Sequence, residues 1–99
     1  AVLALAAARE ALAALAARRL APLRARTAAS RQRLAETLLA WLELQGSAPA
    51  VARRLHVHPQ TVRYRLARLR EALGDQLDDP QARFELQLAL RAEALGRPA

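Results

Sequence analysis

Arginine and uncharged polar side chains recur at helical spacing between Pro59 and Leu73. Each residue of an α-helix is rotated by about 100° from the one before, so the bulky apolar residues of this stretch fall on one narrow face. Those residues are Val62, Leu66, Leu69 and Leu73. Gln60, Arg63 and Tyr64 point elsewhere, toward solvent. Amide and guanidinium groups donate hydrogen bonds to base edges and phosphate oxygens, so the pattern predicts a helix that reads DNA in the major groove.

A second, shorter helix is predicted just before this one, from about Ala50 to Leu55. The residues His56–His58 would form the turn, with His58 at the N-cap and Pro59 at the first helical position, where proline is well tolerated. Ala52 is small enough to let the two helices cross closely. Two helices joined by a turn of three or four residues are typical of a helix-turn-helix unit.

Positive charge is concentrated around the predicted reading helix. The chain has a net charge of +7, and all of its basic residues are arginine. Between Pro49 and Leu73, six arginines face a single acid, Glu71. This distribution favours a polyanionic partner, although a solvated surface of mixed charge is the alternative for such a composition.

The composition predicts an all-α fold, a small helical bundle. Of the 99 residues 54% are hydrophobic but only 3% are aromatic, and the few β-branched residues do not alternate as strands require. The absence of cysteine excludes disulfides and thiolate metal sites, and the absence of methionine suggests a fragment of a longer protein. We expect a soluble, cytoplasmic chain with two parts: residues 1–29, a helical connector or the tail of an upstream domain, and residues 30–99, the helix-turn-helix domain.

Further helices are expected on either side of this unit. A first helix would end at Pro22 and be followed by a polar linker, Arg24–Ser30. Ser30 is the predicted N-cap of a helix that ends near Leu44, followed by Gly46 in a left-handed conformation. In this second helix we expect Trp41 to be a core residue.

The last helix is predicted to begin at Asp79-Pro80, with the aspartate as N-cap, and to stop at Gly96 and Pro98. It carries two apolar stripes on different sides: Phe84, Leu88 and Leu95 on one, Leu86 and Leu90 on the other. One stripe would face the core, and the other would meet the first helix or a second subunit. The isolated Leu77, in the loop before this helix, is expected to fold onto the core.

No pattern in the chain predicts catalysis, a metal site or a cofactor. His56 and His58 have neither cysteine nor a carboxylate nearby and make a poor metal site, whereas a turn and a cap explain both. A helix start explains the pair Asp78-Asp79. The sequence contains no nucleophile–base arrangement and no glycine-rich phosphate loop.

Two runs, HVHPQTVRYRL at residues 56–66 and LDDPQARFELQLALR at residues 77–91, resemble the C-terminal helix-turn-helix domain of the PucR/CdaR family of bacterial transcription regulators. The reading helix is also similar to that of Fis-type factors, which bind DNA as dimers. The resemblance implies a transcription regulator that binds double-stranded DNA as a homodimer, with an upstream sensory domain in the same chain. Pro49 and Pro59-Gln60 depart from the family's usual residues, so the operator sequence does not carry over.

The interface residues follow from their places on the two helices. For base contact the geometry favours Gln60, Arg63 and Tyr64. The residues expected to contact phosphates are Arg53, His58, Thr61, Arg65 and Arg68. Two alternatives stay open: an all-helical protein-interaction module in which the arginines only solubilise, and an interfacial membrane helix at Ala1–Leu23. The second is weaker, because its charges cluster at one end instead of along a polar face.

Overall fold

A computed structural model describes residues 1–96, which form five α-helices and no strand. The helices are α1 (Val2–Arg19), α2 (Ala28–Glu43), α3 (Ala48–Leu55), α4 (Pro59–Leu73) and α5 (Pro80–Leu95). Short 3₁₀ turns at Ala21–Leu23 and Gly74–Leu77 lie between α1 and α2 and between α4 and α5. The prediction of an all-α fold is therefore confirmed. Within the described residues, no helix is both long and apolar enough to cross a membrane.

Four of these helices, α2 to α5, begin with a side-chain N-cap. The Asp79 carboxylate accepts from the Ala82 N–H at 2.8 Å, as predicted, and α5 stops at Gly96, while Pro98 lies outside the described residues. The Ser47 hydroxyl accepts from the Ala50 N–H at 3.3 Å, so α3 starts two residues earlier than expected. Pro49 is then in the first turn, where no N–H is needed.

The start of α2 differs from the prediction, whereas Gly46 after its end is left-handed, as predicted. Its N-cap is Thr27, whose extended backbone lets Oγ1 accept from the Ser30 N–H at 3.2 Å. Ser30 therefore lies inside the helix, and the predicted linker is three residues shorter. At the other end the left-handed conformation begins at Gln45, with φ of 55°, and continues at Gly46, whose N–H donates to the Trp41 carbonyl at 2.9 Å.

The core consists of two apolar clusters that meet at Trp41 and Leu66. The larger includes Leu38, Leu69 and Leu86, which are fully buried on α2, α4 and α5, and also Leu77 from the loop, as predicted. The smaller joins α3 and α4 to α2 and comprises Ala40, Val51, Ala52 and Val62. The helix-turn-helix pair is thus sealed onto α2 through one cluster, and α2 is sealed onto α5 through the other.

Trp41 packs against both clusters, as expected of a core residue, and is itself half-buried. The guanidinium of Arg83 lies over its ring, 4.8 Å from the ring centre, in a cation–π contact. Arg83 also donates to the Leu77 carbonyl at 3.3 Å. Arg83 therefore covers one face of the indole and links α5 to the loop that precedes it.

The C-terminal half of α1 packs against α5. Ala16 and Leu20 are buried in the larger cluster, as is Leu23 just after the helix. Arg19 pairs with Glu85 of α5 at 3.0 Å; hydrogen bonds from Gln81 and then from Arg19 hold the pKa of the Glu85 carboxyl below its ordinary value. The N-terminal half of α1 is exposed. Within residues 1–29, the first part is therefore an exposed helix and the later part contributes to the core. The domain boundary at residue 29 stays a prediction.

The two apolar stripes of α5 have different surroundings. Leu86 and Leu90 are buried in the larger cluster, whereas Phe84 and Leu88 are 63% and 38% exposed. The prediction that one stripe faces the core is confirmed for the Leu86 stripe. The Phe84 stripe has no cover within the described chain.

Replacing Leu86 with alanine should lower the free energy of unfolding by about 2–5 kcal/mol, because it leaves a cavity in the larger cluster. The matched change Leu88→Ala, two residues away on the open stripe, should cost less than about 1 kcal/mol. Urea denaturation followed by circular dichroism measures both. Equal losses would contradict the assignment of the two stripes.

Candidate nucleic-acid interface

The turn between α3 and α4 is built as the sequence predicts. His56 adopts a left-handed conformation with φ of 56°, and the next residue, Val57, donates its N–H to the Ala52 carbonyl at 3.1 Å. Nδ1 of His58 accepts from the Gln60 N–H at 3.0 Å, and Pro59 is the first helical residue. This cap uses one nitrogen of His58 and aligns the start of α4.

α4 is buried along one stripe and open on the other side. Val62, Leu69 and Leu73 are buried, and Leu66 is half-buried against both clusters. Ala52 of α3 is only 4% exposed, as expected of a small residue at a close helix crossing. The outer face therefore projects away from the domain over most of the length of α4.

The three residues predicted to contact bases are all exposed on this outer face: Gln60, Arg63 and Tyr64. Arg63 donates from Nη1 to the side-chain oxygen of Gln60 at 3.1 Å. The two side chains therefore form a pair. The Tyr64 hydroxyl accepts from Nε and Nη2 of Arg68 at 3.2 and 3.1 Å.

The predicted phosphate-contacting residues divide into anchored and free side chains. Arg68 stacks on the Tyr64 ring, 5.2 Å from its centre, and also pairs with Glu71 at 3.3 Å. The hydrogen bond that Arg68 donates to the Tyr64 hydroxyl is the largest cause of a raised pKa for Arg68, and the charge of Glu71 adds to it. Arg53 is exposed on α3, and Thr61 is half-buried at the start of α4.

Ion pairs neutralise part of the positive charge around the helix pair. Arg54 pairs with Glu43 at 2.7 Å, and Arg70 pairs with Asp78 at 3.1 Å. By contrast, Arg53, Arg63 and Arg65 form no ion pair with any acid of residues 1–96. The arginines left with their full charge are thus predicted interface residues.

A residue that the sequence analysis missed, Thr37, holds Arg65 in place. Thr37 is fully buried on α2; its hydroxyl donates to the Arg33 carbonyl at 2.9 Å and accepts from Nη1 of Arg65 at 3.3 Å. The available signal was its position on the buried side of α2, three residues after Leu34. A hydroxyl in that position needs hydrogen-bond partners, and an arginine on a neighbouring helix is one candidate.

A recess beside α4 brings in arginines that lie far away in the sequence. Arg26 and Arg33, from the start of the α2 region, line it together with Arg65 and Arg68 of α4. Only the packing of α2 on α4 creates this juxtaposition. No three histidine, aspartate or glutamate side chains among residues 1–96 are grouped to hold a metal ion.

Residues 34–92 match the family model described as the PucR C-terminal helix-turn-helix domain. The chain is 44% identical over 64 residues to the purine catabolism regulatory protein of Bacillus subtilis, a match that spans 65% of this chain and 12% of that protein. It is 42% identical over 65 residues to an uncharacterized protein of Mycobacterium tuberculosis, covering 66% of this chain and 16% of the relative. No solved structure matches the chain significantly.

A further relative, an uncharacterized protein of Thermomonospora curvata, is 42% identical over 71 residues. That match spans 72% of this chain and 39% of the relative. The chain therefore spans much less than two thirds of the length of these relatives. The family model covers all of α3 and α4 and the larger part of α2 and of α5, which are the elements that build the candidate interface.

Replacing Thr37 with valine should free Arg65 and lower the free energy of unfolding by about 1 kcal/mol, since it removes the hydroxyl while keeping the side-chain volume. Nuclear magnetic resonance should show faster proton exchange at the Arg65 guanidinium. Thr37→Ser, which keeps the hydroxyl, should leave that exchange slow. Unchanged exchange in Thr37→Val would contradict the anchoring role.

Proposed function

The chain belongs to the PucR C-terminal helix-turn-helix family, and from this premise we propose that it reads DNA by placing α4 in the major groove. The family is one of DNA-binding domains of transcriptional regulators, so the predictions of a helix-turn-helix domain and of a non-enzymatic chain are confirmed. The observation that carries the proposal is the open face of α4. It presents hydrogen-bonding side chains on a helix whose opposite side is sealed in the core.

The dimensions of α4 suit this role. A helix of 15 residues is about 22 Å long, and the major groove, about 12 Å wide, admits it. At the N-terminal end of α4, just after the turn formed by His56–His58, Gln60 and Arg63 are exposed. We propose that they contact base edges, with Tyr64 beside them.

The hydrogen bond between Arg63 and Gln60 bears on how bases would be read. While it persists, it uses one lone pair of the Gln60 oxygen and one N–H of Arg63. The other Arg63 donors can pair with guanine O6 and N7. The second lone pair of the Gln60 oxygen and its N–H₂ group can pair with adenine.

We propose that Arg53, His58, Thr61, Arg65 and Arg68 contact backbone phosphates. Three features support this: Arg53 and Arg65 have no acidic partner within the described chain, Arg65 is anchored by Thr37, and Arg68 is braced by Tyr64. Cations fixed beside a reading helix set the register of the protein on the duplex. Since bacterial DNA lies in the nucleoid, we propose that the chain acts there, in the cytoplasm.

We also propose that the chain works as a homodimer and that a sensory domain precedes it in the whole protein. The open stripe of α5 supports the first proposal: Phe84 and Leu88 are one turn apart and exposed. Two copies of this apolar face would pack against each other in a two-fold interface. The small share of its relatives that the chain spans supports the second.

Replacing Arg63 with alanine should weaken binding to the cognate site by about 5- to 150-fold relative to random DNA, because it removes a base contact. Arg68→Ala should weaken both alike and reduce the salt slope of log K by about one unit. Selection from random duplexes supplies the cognate site, and fluorescence anisotropy measures the affinities. Equal losses on both DNAs for Arg63→Ala would refute its role as a base reader.

The competing function, a helical module that binds only protein, gives a different result in the same titration. If the arginines serve solubility alone, the wild-type chain should not bind duplex DNA even at low salt, where phosphate contacts are strongest. That outcome would discard the proposal.

Replacing Phe84 with aspartate should convert the homodimer to a monomer, because two charges would face each other across the two-fold interface. Sedimentation equilibrium measures the mass with and without the selected site. The control is Leu3→Asp, which places the same charge on an exposed apolar position of α1 and should leave the mass unchanged. A dimer that persists in Phe84→Asp would rule out this face as the interface.

A further inference from the structure

A recess of about 340 Å³ lies between the beginning of the α2 region and the exposed flank of α4. We call it the α2–α4 recess. Six polar side chains, three from residues 26–33 and three from α4, supply most of its lining: Arg26, Ser30, Arg33, Thr61, Arg65 and Arg68. Because these two groups lie far apart in the sequence, the recess exists only in the folded chain.

The charge around the α2–α4 recess is of one sign. Four guanidinium groups line it and no carboxylate does. Of the four, only Arg68 has an acidic partner in the described chain, Glu71, which is not among the lining residues. Like charges held around one recess repel each other, so a bound anion would relieve that repulsion and be attracted by the combined field.

The donors of the recess are partly fixed in position. Arg65 is held by the buried hydroxyl of Thr37 at 3.3 Å, and Arg68 is held by the Tyr64 hydroxyl at 3.1 Å. Each of these bonds uses some of the five guanidinium N–H donors and leaves others free. An oxyanion that accepts several hydrogen bonds matches this arrangement, and guanidinium groups are well suited to phosphate.

The location of the recess indicates which phosphate it would hold. Tyr64, one of the proposed base-reading residues, also lines the recess, so the recess adjoins the face that would enter the groove. A helix lying in the major groove has a phosphate backbone along each flank. The backbone that follows the Thr61–Arg68 flank of α4 would pass over the recess.

We infer that the α2–α4 recess is a binding site for a DNA backbone phosphate, to which Arg26 and Arg33 contribute together with Arg65 and Arg68. This inference rests on the proposed function and extends the interface beyond the helix-turn-helix pair. Arg26 and Arg33 lie about thirty residues before α4. The recess makes α2 both the support of the reading helix and a part of the DNA contact.

The test compares two charge-matched double variants in salt titrations with duplex DNA. Arg26→Gln/Arg33→Gln should bind selected and random duplexes more weakly by the same factor, with the salt slope of log K smaller by up to about one unit, since the recess holds one phosphate and each phosphate contact contributes about 0.9. Arg9→Gln/Arg31→Gln removes the same charge from residues that do not line the recess and should keep the wild-type slope. Equal slopes in the two variants would overturn the inference.

Two further measurements separate the recess from general effects. Arg26→Lys/Arg33→Lys, which keeps the charges, should keep the salt slope, and circular dichroism should show the helical content of every variant unchanged. A duplex in which single phosphates are replaced by neutral methylphosphonates should bind the wild-type chain more weakly at one flanking position. At that position the loss should be smaller in Arg26→Gln/Arg33→Gln, which retains only Arg65 and Arg68 around the phosphate.

The outcomes for the two proposals differ. A wild-type chain that binds no duplex at low salt would refute the proposed function itself. A wild-type chain that binds, with the methylphosphonate effect equally large in Arg26→Gln/Arg33→Gln and in the wild type, would refute only the recess.

Discussion

The burial of α4 along a single stripe is the constraint on which the rest of the structure depends. A helix that exposes arginine and amide groups over most of its surface is held by the few apolar residues on its inner side, Val62, Leu69 and Leu73. Leu69 belongs to the cluster that includes α5, and Val62 to the cluster that includes α3. Both clusters contain residues of α2, so α2 is the element against which the reading helix is fixed.

The same α2–α4 contact couples packing to electrostatics. Thr37 is a hydroxyl-bearing residue in an apolar environment, and its two hydrogen bonds, to the Arg33 carbonyl and from Arg65, satisfy it there. One consequence is that an arginine of α4 is held at a defined position before any ligand arrives. A preorganised cation loses less conformational freedom on binding than a free side chain does.

The net charge of the chain is a poor guide to its charged surface. Arg54 and Arg91 share Glu43, and Arg70 is paired with Asp78. The charge that remains near the helix pair is carried by residues on the open face of α4, on α3 and around the α2–α4 recess. The paired acids thus concentrate the positive field on one side of the helix pair, where a polyanion is attracted.

Local chemistry explains why much of this fold could be read from the sequence. Asp79-Pro80 and His58-Pro59 each place a capping side chain before a proline, and such signals act within one turn of chain. The apolar period of α4 and the turn at His56 are equally local. For these reasons the helix-turn-helix unit, the sides of α4 and the exposure of Gln60, Arg63 and Tyr64 followed from the residues alone.

Other features were decided by tertiary packing. Thr27 and Ser30 are both competent caps, and the structure uses Thr27, which starts α2 three residues before Arg31. Either stripe of α5 is apolar enough to be buried, and the choice of Leu86 over Phe84 depended on which side met α1 and α2. The meeting of Arg26 and Arg33 with α4 has no sequence signal, because proximity between distant residues exists only once the helices have packed.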